Sequence, residues 1–287
     1  MSKPRILVQL DSDPQASVFD GVVAVDAGVD QLFRHSGVEL KQVRDLVYGA
    51  MFTRGVDDLK STALFIGGSN VAAGEALLAA VQKTFFGPVR VSVMLDSSGA
   101  NTTAAAAVLA AGKHLPLKGA EVLVLAATGP VGSRVVRLLA AEGANVRVAS
   151  RDLDRANEVC NAVMERVPGV SNVAHETASA GGLKKALDGV QVIIAAGAPG
   201  VELLSVEARR KVPTLKVAID LSAVPPLGIG GIEVADKAKE RDGAACYGAI
   251  GVGGTKMKIH KAAIGQLFTA NDLVLDAEEI YRIGQGL

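Results

Sequence analysis

Short apolar runs alternate along the chain with longer segments whose apolar positions recur at helical spacing. Residues 6–10 read as a strand, as do 62–66, closed by Gly67-Gly68, and 89–95. Residues 18–27, 40–52 and 71–84 read as helices. Asn101, a good N-cap residue, opens an alanine-rich helix that reaches about His114. A polar break at 115–121 follows. The order then becomes strand 122–126, helix 130–142, strand 146–150, helix 152–166 and strand 172–176. Further strands are expected at 190–195 and 216–220, a last strand at 246–254, and helices near 255–269 and 276–284.

Strands alternating with helices predict parallel sheets. The expected fold class is α/β with two domains. An N-terminal α/β substrate domain spans 1–115, a Rossmann-type parallel sheet spans 116–255, and C-terminal helices at 256–287 return to the first domain.

Composition narrows the function. The 287 residues are 49% hydrophobic and 21% charged, with Lys+Arg and Asp+Glu both at 30. That balance leaves no electrostatic footprint for nucleic acid or an anionic membrane. No apolar run reaches the roughly 18 residues of a membrane span. Cys160 and Cys246 form no C-x-x-C pair and read as buried thiols. Residues 1–5 do not read as a secretory signal, so a cytoplasmic protein is expected.

The stretch VLAATGPVGSRVV carries the first chemistry. Gly129 and Gly132 fall where the second and third glycines of a dinucleotide-binding turn belong, and Ala127 holds the place of the first. Ala127 serves there if its φ stays negative. A Cβ at position 129 would crowd a pyrophosphate, and Pro130 suits the first helical turn. The next strand ends in Ser150-Arg151 where NAD sites usually carry Asp or Glu. A hydroxyl and a guanidinium, with Arg155 one turn on, suit a 2′-phosphate and point to NADP. Asp152 reads as the N-cap of the following helix. The expected cofactor-binding set is Thr128, Gly129, Pro130, Val131, Ser150, Arg151, Arg155, Ala196, Gly197 and Gly253.

Substrate-site candidates lie elsewhere. Asp96 ends a strand, and Asn101 and Thr102 begin the next helix, where ligands of parallel sheets bind. Capping explains Asn101 equally well. Asp20, amid Val18, Phe19, Val22 and Val23, lies either on a solvated face or in a cleft. Lys256 follows the glycine-rich stretch 251–254 at an expected helix start, an unfavourable place for a cation unless it holds an anion or polar substrate edge. His260 lacks companions at metal-ligand spacing, so no metal site is expected.

Long blocks now carry a resemblance: SVFD (17–20), FIGG (65–68), FFGPVRVSVMLDSSGANTTAAAA (85–107), TGPVG (128–132), AVPPLGIGGI (223–232), YGAIGVGGTKMKIH (247–260) and LDAEEIY (275–281). The chain resembles, nearly end to end, the bacterial NADP-dependent methylene-tetrahydromethanopterin and methylene-tetrahydrofolate dehydrogenases. The resemblance implies hydride transfer between a reduced methylene-pterin and NADP by a cytoplasmic homotrimer. Asp20 and Lys256 would orient the pterin, with Asp96, Asn101 and Thr102 as further substrate-binding residues. Ala127 departs from the family's G-T-G-P-V-G, and Ser222 stands where the family tends to have Asn. Two other readings remain: a shikimate-type dehydrogenase, for which Lys60 would be the relay lysine, and a non-catalytic NADP-binding sensor.

Overall fold

Strands buried on both faces of a parallel sheet carry near-continuous apolar sequence. Strand β1 (Ile6–Asp11) and β3 (Thr62–Gly67) are of this kind, β3 being buried at every position. In the computed structural model, which describes residues 3–287, they form the centre of a five-stranded parallel sheet. Strand β4 (Ser92–Leu95) and β12 (Val274–Leu275) flank β3, and β2 (Gln31–His35) flanks β1. Met1 and Ser2, the head of the 1–5 stretch read as no secretory signal, lie outside the described residues.

The helices of this unit start where the sequence supplies caps. Ser17 accepts the Asp20 N–H at the start of α1 (Val18–Asp26), and Asn70 accepts the Ala73 N–H at the start of α3 (Val71–Thr84). Glu39 and Gln42 form a capping box for α2 (Leu40–Met51). Valines of α2 and leucines of α3 pack on Leu10, Leu64 and Ile66 of the sheet. The alanine-rich helix, α4, runs Ala100–Gly112. Asn101 therefore sits one residue inside it rather than at its cap. The Thr102 N–H is instead capped by the Asp96 carboxylate.

The second sheet is built from β5 (Glu121–Leu125), β6 (Asn145–Ser150), β7 (Asn172–Glu176), β8 (Val192–Ala195), β9 (Val217–Asp220), β10 (Lys237–Arg241) and β11 (Ala244–Tyr247). Its order is β10-β11-β9-β8-β5-β6-β7, with only β10 antiparallel. Read from β7 and without the antiparallel edge strand β10, that is the 3-2-1-4-5-6 order of a dinucleotide fold, reversing direction at β5 and β8. Helices α5 (Pro130–Ala141), α6 (Leu153–Arg166), α7 (Ala180–Leu187) and α8 (Val206–Arg210) supply connections, and Asp152, Ser179 and Ser205 cap the last three. Cys160 and Cys246 are buried free thiols.

Compactness divides the chain at Thr102–Thr103 and at Lys256–Met257. The first unit comprises the described residues up to Thr102 together with Met257–Leu287; the second is Thr103–Lys256. The return is anchored within the first unit by β12 pairing β4, and by α10 (Ala277–Gln285), whose cap residue Asp276 accepts from Asn101 Nδ2 at 2.9 Å. No described helix is long and apolar enough to cross a membrane.

One expected boundary is corrected. Residues 249–254 are helical, not the end of a strand, because α9 runs Ala249–Gln266. Two glycines make this possible. A Cβ at Gly251 would stand 1.7 Å from the Asp236 carbonyl oxygen, and one at Gly248 2.1 Å from that of Glu233. The helix start thus lies directly on the 233–237 backbone, and Ile250 donates its N–H to Val234 O. Lys256 is consequently in the third turn of α9 and not at its N-terminus, so the helix dipole places no penalty on it.

Two stability predictions follow from close contacts. A Cβ at Gly132 would approach Ala126 O and Ala127 Cα to 2.8 Å. Gly132→Ala should therefore cost about 1–3 kcal/mol in urea unfolding, and an unchanged midpoint would contradict this packing. Asp236 accepts from Arg241 Nε and Nη2 at 2.6 and 2.8 Å. Burial pushes its carboxyl up, but these bonds and the Glu233 N–H outweigh burial and leave it below its ordinary value. Its stabilisation is in place above about pH 4, where the unfolded carboxyl ionises, and is lost as pH falls through the lower folded value. Asp236→Asn should be about 2 kcal/mol less stable than the parent near neutrality, with the gap closing in acid.

Candidate functional site

Three strands end in an aspartate: β1 in Asp11, β4 in the following Asp96, and β9 in Asp220. All three are buried, and each accepts at least one backbone N–H from the residues that follow it. Asp11 holds the Asp13 and Ser17 N–H groups at 2.9 and 3.0 Å, which fixes the turn into α1. Asp96 takes the Thr102 N–H at 3.0 Å and its hydroxyl at 2.6 Å. Asp220 takes Ser222 and Ile229 at 2.9 and 2.8 Å, folding the AVPPLGIGGI loop back over β9. Burial raises the Asp220 carboxyl above its ordinary value, against the pull of these N–H groups.

In the first unit, Asp20 joins Asp11 and Asp96 at the carboxyl ends of the strands. Gly67 shows how closely: a Cβ there would lie 3.1 Å from Asp11 Oδ2, 3.3 Å from Phe65 Cε1 and 3.5 Å from Asp20 Oδ2. Asp20 is half-buried. Burial is the largest influence on it and raises its carboxyl; His260 and the Ser17 hydroxyl oppose the rise, while Asp96 and Asp11 add to it. Asn101 donates to Leu95 O at 2.6 Å as well as to Asp276. Its bonds tie α4 to β4 and to the returning segment. Lys60 lies in a turn at the amino end of β3, away from this cluster, so the relay lysine of a shikimate-type site is not among the grouped residues.

In the second unit, α5 begins directly after β5. Ala127 keeps a negative φ as required, whereas its neighbour Ala126 takes the left-handed value of 53°. Gly129 is the N-cap and Pro130 the first helical residue. A Cβ at Gly129 would meet nothing nearer than 3.7 Å, the Ala126 and Ala196 carbonyls. Gly132 is needed for helix–strand contact, while Gly129 leaves space at the helix N-terminus with Thr128 and Val131 half-buried beside it. Ala196 continues β8 by donating to Leu125 O, so it lies at the reversal point of the sheet. Gly197 has a packing reason as well, since a Cβ there would come within 2.7 Å of Leu203 Cδ1. Gly253, in α9, faces open space.

At the end of β6, Ser150 is buried and accepts the Asp152 N–H. Asp152 spends its carboxylate on the Asp154 and Arg155 N–H groups as the cap of α6. Arg151 and Arg155 are both exposed, and among the described residues neither guanidinium is paired with a carboxylate. The end of β6 therefore offers two free cations. Among the described residues no group of His, Cys, Asp and Glu is arranged to hold a metal ion.

Sequence reasoning missed Asp11 and Asp220. The signal was available: an apolar run ending in Asp, as at Asp96. It also treated His260 only as a possible metal ligand, although the ring lies fully buried beside Asp96.

Comparison with known proteins bears on both units. Residues 18–98 match the family described as methylene-tetrahydromethanopterin dehydrogenase, N-terminal, and residues 118–210 match the NmrA-like family. A bifunctional protein MdtA of Methylorubrum extorquens is 45% identical over 287 residues, covering 99% of each chain. An NAD(P)-dependent methylenetetrahydromethanopterin dehydrogenase of the same organism is 30% identical, covering 97% of each. The solved ligand-free 5-ketofructose reductase of Gluconobacter sp. strain CHM43 shares the fold, with a TM-score of 0.50 at 14% identity over 99% of both chains. On this end-to-end similarity, with the first unit's strand ends and the second unit's glycine turn in place, the chain belongs to the methylenetetrahydromethanopterin dehydrogenase family.

Proposed function

We propose that the protein transfers hydride between 5,10-methylene-tetrahydromethanopterin, and/or methylene-tetrahydrofolate, and NADP, giving the methenyl form. The observation that carries the choice of NADP is the pair of free guanidiniums, Arg151 and Arg155, where a carboxylate would serve NAD. Arg151 and Arg155 would hold the 2′-phosphate as charged planar donors, and the Ser150 hydroxyl would add a neutral hydrogen bond. The space at Gly129 admits the pyrophosphate to the N-terminus of α5, beside Thr128, Pro130 and Val131. Ala196, Gly197 and Gly253 complete the set. When bound, the nicotinamide accepts or returns the hydride.

The substrate carbon is flanked by two nitrogens, which delocalise the cation left by hydride loss. That step needs no proton transfer, so the protein's work is binding, orientation and exclusion of water. Asp20 pairs with the amide and amino edge of the pterin, and Lys256 holds a polar edge of the same ring system. Asp96, Asn101 and Thr102 complete the substrate-binding set; Thr102 donates to Asp96, and Asn101 donates to Leu95 O and Asp276. The resemblance further supports a cytoplasmic homotrimer.

Steady-state kinetics with both carriers and both nicotinamides test this. Arg151→Ala should raise KM for NADP about tenfold or more and leave KM for NAD nearly unchanged. An equal effect on both would remove Arg151 from the 2′-phosphate site. Asp20→Ala should lower kcat/KM for the methylene-pterin by about two orders of magnitude. Unchanged turnover and substrate affinity would remove Asp20 from the substrate site.

A further inference from the structure

His260 is the one fully buried histidine of the first unit, and the proposed binding set gives it no task. Its ring stacks on Phe65 at a centroid distance of 5.7 Å and meets Phe19 at 6.3 Å. Its Nδ1 stands 4.0 Å from Asp96 Oδ2. The aromatic rings hold the imidazole in place beside the acids. Those acids come from three elements: Asp96 after β4, Asp20 in α1, and Asp11 at the end of β1. Arg34 of β2 lies near Gly21, but its guanidinium is turned to Gln9 Oε1 and the Ala16 carbonyl. On α9 itself, Lys256 precedes His260 by one turn, Lys258 is exposed, and Lys261 follows at once.

Carboxylates withdrawn together from water repel one another, and each then tends to keep its proton. Protonation would matter most at Asp20. An ionised carboxylate accepts with both oxygens and so matches an edge that presents two donors. A protonated one offers a donor where an acceptor is needed. We infer that His260 is a positioning residue: held as an imidazolium beside Asp96 and Asp20, it keeps Asp20 an ionised double acceptor for the substrate's amide and amino edge. This rests on the reading that Asp20 receives the pterin. Asp96 shares the imidazolium, and Thr102 fixes Asp96 so that it does not turn away. Consistent with this, the His260 charge opposes the upward push that burial, Asp96 and Asp11 exert on the Asp20 carboxyl.

The sign of the effect is fixed. Without the imidazolium, Asp20 takes up its proton at higher pH, so substrate binding fails earlier on the acid side and recovers once the pH is high enough to ionise Asp20 unaided. A merely structural loss would depress activity at every pH. The test is His260→Asn, with two readouts: the Asp20 midpoint in the ligand-free protein by carboxyl-carbon NMR, and the pH profile of kcat/KM for methylene-tetrahydromethanopterin with saturating NADP. The midpoint should rise by about one pH unit, and the acid limb of the profile should move with it. Near the alkaline end, kcat/KM should return to within about twofold of the parent. A midpoint that stays or falls, or a uniform loss across the profile, overturns the inference. If the variant does not fold, the nitrogen-15 signals of His260 in the parent decide: an imidazolium near neutrality supports it, a neutral ring overturns it. A parent that does not turn over the pterin defeats the proposed function, while the Asp20 midpoint still decides whether His260 holds its charge.

Discussion

A carboxylate taken out of water must be met by donors, and the first unit takes out two completely, Asp11 and Asp96, with Asp20 partly withdrawn beside them. Much of the local structure is the answer to that demand. Asp11 draws in the backbone of 13–17 and so sets where α1 begins. Asp96 draws in Thr102 and so sets the first turn of α4. Asp13 extends the scheme by holding Ser69, which steers the Gly67-Gly68 turn. Gly68 has φ of 93°, and a Cβ there would stand 2.3 Å from Ser12 Oγ, so the turn has little room for another residue. The same arrangement that organises the loops leaves acceptors at the carboxyl ends of the strands, where a parallel sheet presents its ligand site.

The second unit meets a different constraint, the close approach of backbone to backbone. Gly132 brings α5 onto the β5 turn, and Gly248 and Gly251 bring α9 onto the 233–237 segment. Gly129, by contrast, has room around it. Glycines in one short motif thus do separate jobs, which is why replacing the first with Ala127 is tolerated: its negative φ asks nothing that alanine cannot supply.

Long apolar periods made most of the fold readable. Helix α3 runs over the residues expected, 71–84, because its Asn70 cap and its apolar run agree there. The elements missed are those without such a run. Edge strand β2 reads QLFRH and β10 reads KAKER, both largely exposed, and hydrogen bonds to a neighbour rather than burial make them strands. Strand β12 has two residues and exists only because the returning segment meets β4. The α9 boundary failed for a related reason. Glycine-rich sequence reads as loop unless one knows that a second backbone lies against it. At the site, Asp20 and Asp96 were legible as polar residues in apolar settings. Asp11 closes an apolar run as Asp96 does, but the burial that separates it from solvent-facing punctuation shows only in the fold.

Residues 103–256 stand between the two parts of the chain that make up the first unit. During synthesis the first hundred residues leave the ribosome without an edge strand and without the imidazole beside Asp96. The intervening unit, whose elements are contiguous, is free to fold before that gap is filled. The acidic floor of the first unit must therefore wait, unneutralised, for residues 257–287. A nascent chain stalled or truncated before Met257 would carry a finished nucleotide fold and an unfinished acceptor site, and the exposed flank of β4 would be the edge open to misplaced strand pairing.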